Sequence, residues 1–386
     1  MNVIVLGATG SIGTQALDCI EKIGANVTAM CAGKNTDLFE KRIRRFSPKA
    51  VAMSDRDAAN RLKDRICDLS IPVFSGEEGV LRLFDEAECD VCINGIVGVA
   101  GLRPTVKAAE KGVRIALANK ENLVVAGDII TKICEENGVE IIPVDSEHSA
   151  VFQCLNGICP TGGDIKAVTS KIRRLILTAS GGAFYGKTRT ELENVTAADA
   201  LLHPTWKMGK KITVDCATLM NKGFEIIEAA HLFNAGEDTI DVVIHRESII
   251  HSMIEFNDSS VLAQMSLPDM RIAIQYALTF PNRAPSPVPC LDFTSLPPLT
   301  FSKPDYNTFR APVICRDVLK EGGTSGAVLN AANEIAVEAF LQNRIPFLKI
   351  TDCVEKMLAK YPSSKNPSVE ELLETDRKIR TENISD

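Results

Sequence analysis

Between residues 2 and 145, short apolar runs alternate with amphipathic segments of helical period. "NVIVLG", "NVTAMCAG", "KAVAMS", "DVCING", "RIALAN" and "EIIPVD" read as strands, and "TQALDCIEKIG" and "RPTVKAAEKG" as helices between them. Runs that are apolar throughout are buried on both faces, and a helix between successive strands imposes parallel pairing. The expected fold of this part is α/β, with a mainly parallel, doubly wound sheet of Rossmann type.

From about residue 146 the pattern changes. Strand-like runs ("RRLILTAS", "DVVIHRESIIHSMIEF", "SSVLAQMS") mix with a helical one ("LMNKGFEIIEAAHLF"), which suits a central α+β domain over 146–279. Residues 280–305 hold 7 of the 18 prolines and read as an extended linker. The remainder, 306–386, is helical in character; Ser368 and Glu371 in "SVEELLETDRKIR" stand at capping-box spacing.

A net charge of −7 without a long basic run argues against nucleic-acid partners. No apolar run reaches membrane-spanning length, and the first strand begins at residue 2, which leaves no room for a signal or transit peptide. A cytoplasmic protein with no membrane contact is expected. Most of the 12 cysteines sit inside apolar segments and read as small buried hydrophobes. Cys89 and Cys92 form a lone C-x-x-C, a redox pair or half a zinc site in principle, but no second pair accompanies it.

"VIVLGATGSIG" places Gly7, Gly10 and Gly13 between a strand and a helix, where backbone N–H groups and a helix dipole can meet a pyrophosphate. A plain glycine turn in a parallel sheet gives the same pattern. After the second strand the chain reads Gly33, Lys34 and Asn35 where a 2′-hydroxyl reader would carry an acid. Lys34 can meet a 2′-phosphate, which points to NADPH; a solvated loop charge is the alternative.

In "IPVDSEHSAVF", Asp145 and Glu147 are two apart and would share a face if extended, as a hard-cation site requires. Alternatively Asp145 or Ser146 caps the helix that "EHSAVFQCL" suggests. In "MNKGFEIIEAA", Glu225 and Glu228 share a helical face, with Asn221 and Lys222 a turn earlier; solvated acids on an amphipathic helix would look alike. "LTASGGAFYG" ends a strand in Ser180-Gly181-Gly182, a candidate anion nest or a flexible turn. "LLHPTWKMGKKIT" sets the only tryptophan, Trp206, amid His203, Lys207 and Gly209, as in a closing lid or a packed surface segment. "LANKENLV" puts Asn119 and Lys120 at a strand end, the ligand edge of such sheets.

Together, "GATGSIG", "AGKN", "LANKE", "VDSEHSA", "TASGGAF", "HPTWKMGKKITVD", "ATLMNKGFE", "IHSMIEF", "LPDMR" and "LNAANEIAV" resemble, in order and spacing, the 1-deoxy-D-xylulose 5-phosphate reductoisomerase family over nearly the whole chain. The resemblance implies conversion of that sugar phosphate to 2-C-methyl-D-erythritol 4-phosphate in the non-mevalonate isoprenoid route. The family's reaction is a retro-aldol and aldol rearrangement followed by reduction. The implied cofactors are NADPH and Mg²⁺ or Mn²⁺, with Co²⁺ a further candidate, and the implied assembly is a homodimer built through the middle domain. Residues 1–145 would bind NADPH and 146–279 would carry catalysis and dimerisation.

By the same resemblance Asp145, Glu147 and Glu225 are metal ligands. Lys120 and Ser146 contact substrate oxygens, and Ser180, Asn221 and Lys222 hold the phosphate with His203 alongside. Trp206 and Met208 belong to the lid, and Glu228 matches a further family glutamate. Thr9, Gly10, Ser11 and Ile12 line the pyrophosphate; Gly33, Lys34 and Asn35 face the adenosine ribose; Asn119, Lys120 and Glu121 lie toward the nicotinamide. The family's serine ahead of Met-Asn-Lys-Gly is Cys216 here, a weaker donor for the same phosphate.

Overall fold

The computed structural model describes residues 1–158, 171–206 and 208–383. By packing, the chain forms two compact units: Met1–Asn122 with Ile130–Ser149 and Asp269–Pro289, and Leu123–Ile129 with Ala150–Pro268 and Cys290–Asp386.

The first unit is built on a seven-stranded parallel sheet. Its strands are β1 (Asn2–Leu6), β2 (Asn26–Ala32), β3 (Ala50–Met53), β4 (Val73–Ser75), β5 (Val91–Asn94), β6 (Arg114–Leu117) and β7 (Ile141–Pro143), in the order β4-β3-β2-β1-β5-β6-β7. Six coincide with the apolar runs of the sequence. The seventh, β4, was not anticipated, because "VFS" is three residues long and only partly buried. Strand order reverses between β1 and β5, which opens a crevice at their carboxyl ends. Helices Ser11–Lys22, Thr36–Phe46, Arg56–Arg65, Gly76–Glu86 and Leu102–Glu110 link the strands, and Met270–Thr279 packs on the first of them.

The second unit holds a mixed sheet of β8 (Ile172–Ala179), β9 (Ile240–Ile244), β10 (Ile250–Phe256) and β11 (Val261–Met265), ordered β11-β10-β8-β9. The long run "DVVIHRESIIHSMIEF" is two strands, broken at the "RES" turn where Ser248 takes φ +52°. Helices Lys210–Thr218 and Met220–Phe233 pack with Ala311–Glu321, Ser325–Leu341, Lys349–Lys360 and Val369–Arg380. Their shared core includes Phe184, Phe224, Phe340 and Phe347; the Phe184 and Phe347 rings meet edge-on at 4.8 Å. Ser368 and Glu371 form the expected capping box.

The proline-rich stretch is more than a tether. Its first ten residues, to Pro289, pack with the first unit, and beyond Cys290 it joins the second. There Ser302 pairs with Ile244 at the free edge of β9 through two backbone bonds of 2.9 and 3.0 Å. Proline density forbids a full strand, but one bridge between prolines is compatible with it.

Asp269 caps Met270–Thr279, accepting from the Arg271 N–H at 2.9 Å. Its hydrogen bond to the Arg271 guanidinium is the main cause holding its carboxyl below the usual range. A depressed native value means the unfolded chain binds the proton more readily. The stabilisation is therefore whole above about pH 4 and is lost as pH falls through the native value. Asp269→Ala should lower unfolding free energy at neutral pH by about 1 kcal/mol and flatten the acid limb of stability against pH, as measured by urea unfolding.

Candidate functional site

At the end of β1 the chain turns through Gly7, at φ +80°, and enters the helix Ser11–Lys22 with Gly10 at its N-cap. A Cβ on Gly7 would stand 2.7 Å from the carbonyl oxygen of Gly95, at the end of β5. One on Gly13 would stand 2.3 Å from the Gly7 oxygen, so the turn and helix close only without side chains there. No side chain caps the helix, which leaves the first-turn N–H groups available for an anion. Gly10 and Ser11 are exposed, and Thr9 and Ile12 partly so.

At the end of β2, Gly33 and Lys34 are exposed. Lys34, with a side chain 83% exposed, lies 3.8 Å from Asp55. The Asn35 amide oxygen instead caps the helix Thr36–Phe46, accepting from Leu38 N at 3.1 Å.

Sequence reasoning missed an amide network beyond β5, in "NGIVGVAG". Asn94 donates to the Gly101 carbonyl at 2.9 Å and to Thr105 Oγ1 at 2.7 Å, and Asn122 donates to the same hydroxyl at 2.8 Å. Asn119 donates to the carbonyls of Ile96 and Gly98, while its oxygen accepts from Asn122 N. The loop of residues 95–101 is thereby fixed at the carboxyl edge of the sheet. The asparagines were visible, but nothing in their spacing announced the network. Glu121, in the first turn of the helix Lys120–Glu136, is partly buried.

Of the two readings of Asp145 and Glu147, the structure takes the helix cap and not the extended strand. The strand β7 ends at Pro143, and a helix runs over Ser146–Ile158. The Asp145 carbonyl accepts from Ser149 N at 2.8 Å, so Asp145 stands at the N-cap position and Glu147 in the first turn. Asp145 pairs with the ammonium of Lys120, which is 5% exposed. Ser146 donates to Glu147 Oε2 at 2.5 Å. His148, within the same motif but assigned no role from sequence, is wholly buried with Nδ1 4.0 Å from Asp145 Oδ2.

In the second unit, Glu225 and Glu228 lie on the helix Met220–Phe233 with no exposure to water, unlike solvated acids on a surface helix. Asn221 donates to Glu225 Oε1 at 2.5 Å, and buried Lys222 pairs with Oε2. The helix starts abruptly because Leu219 adopts φ +61°, breaking it from Lys210–Thr218. Asp215 on that preceding helix pairs with Lys211 at 2.8 Å and accepts from Asn333 at 2.8 Å, which gives "NAANE" a packing role.

The turn after β8 takes two successive left-handed glycines, Gly181 at φ +77° and Gly182 at +66°. A Cβ on Gly182 would lie 2.4 Å from the Cys216 carbonyl oxygen, so the turn rests on the helix that carries Cys216. His203 Nδ1 accepts from the backbone N–H groups of Thr205, at 3.2 Å, and Trp206, at 2.9 Å. Its proton in the neutral ring is therefore on Nε2, which donates to Ser180 Oγ at 2.9 Å. That hydroxyl also accepts from Gly182 N at 3.3 Å. With both lone pairs engaged, its own hydrogen is directed to a further acceptor. Trp206 meets the buried His251 ring edge-on at 6.2 Å, and Met208 is partly buried in the same irregular stretch; Lys207 lies outside the described residues.

Eleven cysteines fall among the described residues, all free of disulfides. Burial pushes the Cys89 thiol up to about 12 and Cys92 well above its ordinary range, so the C-x-x-C offers little thiolate for metal or redox work. Among the described residues, no helix is long and apolar enough to cross a membrane.

Three family models match the chain. They are 1-deoxy-D-xylulose 5-phosphate reductoisomerase over residues 3–127, its C-terminal domain over 141–233, and a DXP reductoisomerase C-terminal domain over 265–382. The 1-deoxy-D-xylulose 5-phosphate reductoisomerase of Thermoanaerobacter pseudethanolicus is 46% identical over 381 residues, covering 98% of this chain and 97% of that protein. Its Bacillus subtilis counterpart is 47% identical over 382 residues with the same coverage. The solved structure of the Zymomonas mobilis reductoisomerase in complex with NADPH has a TM-score of 0.90 at 40% identity, covering 98% of this chain and 97% of that one. A DOX-P reductoisomerase in complex with NADPH, fosmidomycin and magnesium has a TM-score of 0.91 at 37% identity, covering 98% and 96%. This chain belongs to the 1-deoxy-D-xylulose 5-phosphate reductoisomerase family.

Proposed function

We propose that the chain converts 1-deoxy-D-xylulose 5-phosphate to 2-C-methyl-D-erythritol 4-phosphate with NADPH, and that Asp145, Glu147 and Glu225 hold the divalent cation this needs. The activity follows from family membership. The residue assignment rests chiefly on one observation: Asp145 and Glu225 each face a buried lysine, Lys120 and Lys222. Carboxylates withdrawn from water persist where positive charge meets them. Three anionic oxygen donors suit Mg²⁺, and the same set accepts Mn²⁺ or Co²⁺.

The bound groups supply two things: polarisation of substrate oxygens by the cation, and a hydride from the nicotinamide. Everything else falls to the chain. Lys120 and Ser146 would orient the substrate's hydroxyl and carbonyl oxygens beside Asp145. Ser180, its lone pairs filled by His203 and Gly182, would donate its hydroxyl hydrogen to the phosphate. Asn221 and Lys222 would add an amide and an ammonium in a helix's first turn, where the dipole also favours an anion. Cys216 would touch the same phosphate through a weak thiol donor. Trp206 and Met208 would belong to a lid that covers the substrate and excludes water. Thr9 to Ile12 would line the pyrophosphate, Gly33 to Asn35 the adenosine ribose, and Asn119 and Glu121 the nicotinamide side.

We also propose a homodimer through the central region and a cytoplasmic location. The support for the first is β11, an edge strand whose Val261 and Leu262 are exposed. Free, buried cysteines suit a reducing compartment.

In an assay of NADPH absorbance with the sugar phosphate, a chelator should stop oxidation and added Mg²⁺ should restore it. Oxidation indifferent to chelation would contradict the metal requirement. Glu225→Gln should lower turnover more than about a hundredfold, a larger loss than outer-shell changes cause, in protein that circular dichroism shows to be folded; near-normal turnover would remove Glu225 from the ligand set. Cys216→Ser should lower the KM for the sugar phosphate while leaving kcat in place. An unchanged or raised KM would remove that residue from the phosphate contact.

A further inference from the structure

Arg246 lies in the turn between β9 and β10, a position to which sequence reasoning assigned nothing. Its Nη1 donates to the carbonyl oxygens of Ser180, at 3.2 Å, and Gly182, at 3.0 Å. A trans peptide is planar, so the N–H that follows a carbonyl points opposite to it. Two carbonyls drawn toward Arg246 therefore turn the N–H groups of Gly181 and Ala183 away from it. The intervening Gly182 N–H is held on Ser180 Oγ. The left-handed glycines make this backbone path possible, and Arg246 selects it from the many paths glycine allows.

The guanidinium is itself fixed. It lies over the Tyr185 ring, 4.9 Å from its centroid, and Tyr185 Oη bonds Ser302 Oγ at 2.9 Å. Ser302 is the residue that bridges to β9. The edge of the sheet, the tyrosine and the arginine thus form one brace behind the turn.

We propose that Arg246 is a positioning residue for the substrate's phosphate: it holds the 180–183 turn with the amide hydrogens of Gly181 and Ala183 facing the anion, and sets a positive charge behind them. The inference rests on reading the Ser180 turn as the phosphate site. It touches neither the cofactor nor the reacting carbons, so its signature is confined to phosphate affinity.

The test is steady-state kinetics on the full-length, Mg²⁺-loaded protein, with inorganic phosphate as competitive probe, for wild type, Arg246→Ala, Arg246→Lys and Ser180→Ala. Arg246→Ala should raise the sugar-phosphate KM and the phosphate inhibition constant together by about tenfold, with kcat and the NADPH KM within about twofold. Arg246→Lys, which keeps the charge but not the planar fork, should recover part of the loss. If neither constant moves in Arg246→Ala while Ser180→Ala raises both, the inference is overturned and the phosphate reading stands. If Ser180→Ala leaves both constants unmoved, that reading falls and the inference with it. An NADPH KM raised as much as the sugar-phosphate KM, or a melting temperature that collapses in both Arg246 variants, marks general distortion and overturns the positioning role.

Discussion

A carboxylate with no exposure to water is among the costliest groups a fold can carry, by several kcal/mol unless positive charge and hydrogen bonds answer it. Glu225 is such a group: its two oxygens face the Asn221 amide and the Lys222 ammonium on its own helix. That requirement explains the local order of "MNKGFE". Gly223 between them admits Cys315, whose sulfur would lie 2.5 Å from a Cβ there, and so lets Ala311–Glu321 pack against the back of the same helix. The polar pairing and the packing occupy opposite faces of a single 14-residue element. In the first unit, Lys120 and Asp145 repeat the arrangement at the ends of β6 and β7.

The parallel sheet sets up the other half of the function by topology. The reversal between β1 and β5 brings two chain turns together, and the Gly7–Gly95 approach leaves no space for side chains. What remains at that edge is backbone: first-turn N–H groups that no side chain caps on one side and the amide-bonded 95–101 loop on the other. A dinucleotide needs such a surface, since its pyrophosphate is read by backbone donors. The turn after β8, which we propose to hold the phosphate, would apply the same device with different parts, two left-handed glycines in place of a helix start.

Much of this is legible in the sequence alone. Fully apolar runs marked six of the seven parallel strands because burial on both faces leaves no alternation to misread. "VFS" escaped because an outer strand of three residues carries almost no pattern. The Asp145–Glu147 segment allowed two readings, an extended pair or a helix cap, because an apolar run precedes it and a helical pattern follows; the helix that starts at Ser146 bears out the cap. Polar networks were the least visible. Asn94, Thr105, Asn119 and Asn122 are ordinary residues one by one, and Arg246 looks like a surface charge in a turn. Each acquires its role from partners far away in sequence, information that spacing does not contain. The proline-rich stretch shows the converse: composition correctly excluded regular structure but could not foresee the single bridge at Ser302.

The central claim is that Asp145 and Glu147, two residues apart, and Glu225, distant from both in sequence, serve one divalent ion. Anomalous diffraction from crystals of the NADPH-bound protein grown with Mn²⁺ tests it most directly. The account predicts one strong anomalous peak ligated by carboxylate oxygens of Asp145, Glu147 and Glu225, and its loss in the Glu225→Gln protein. A peak held by other side chains, or none at the three acids at saturating Mn²⁺, would contradict it.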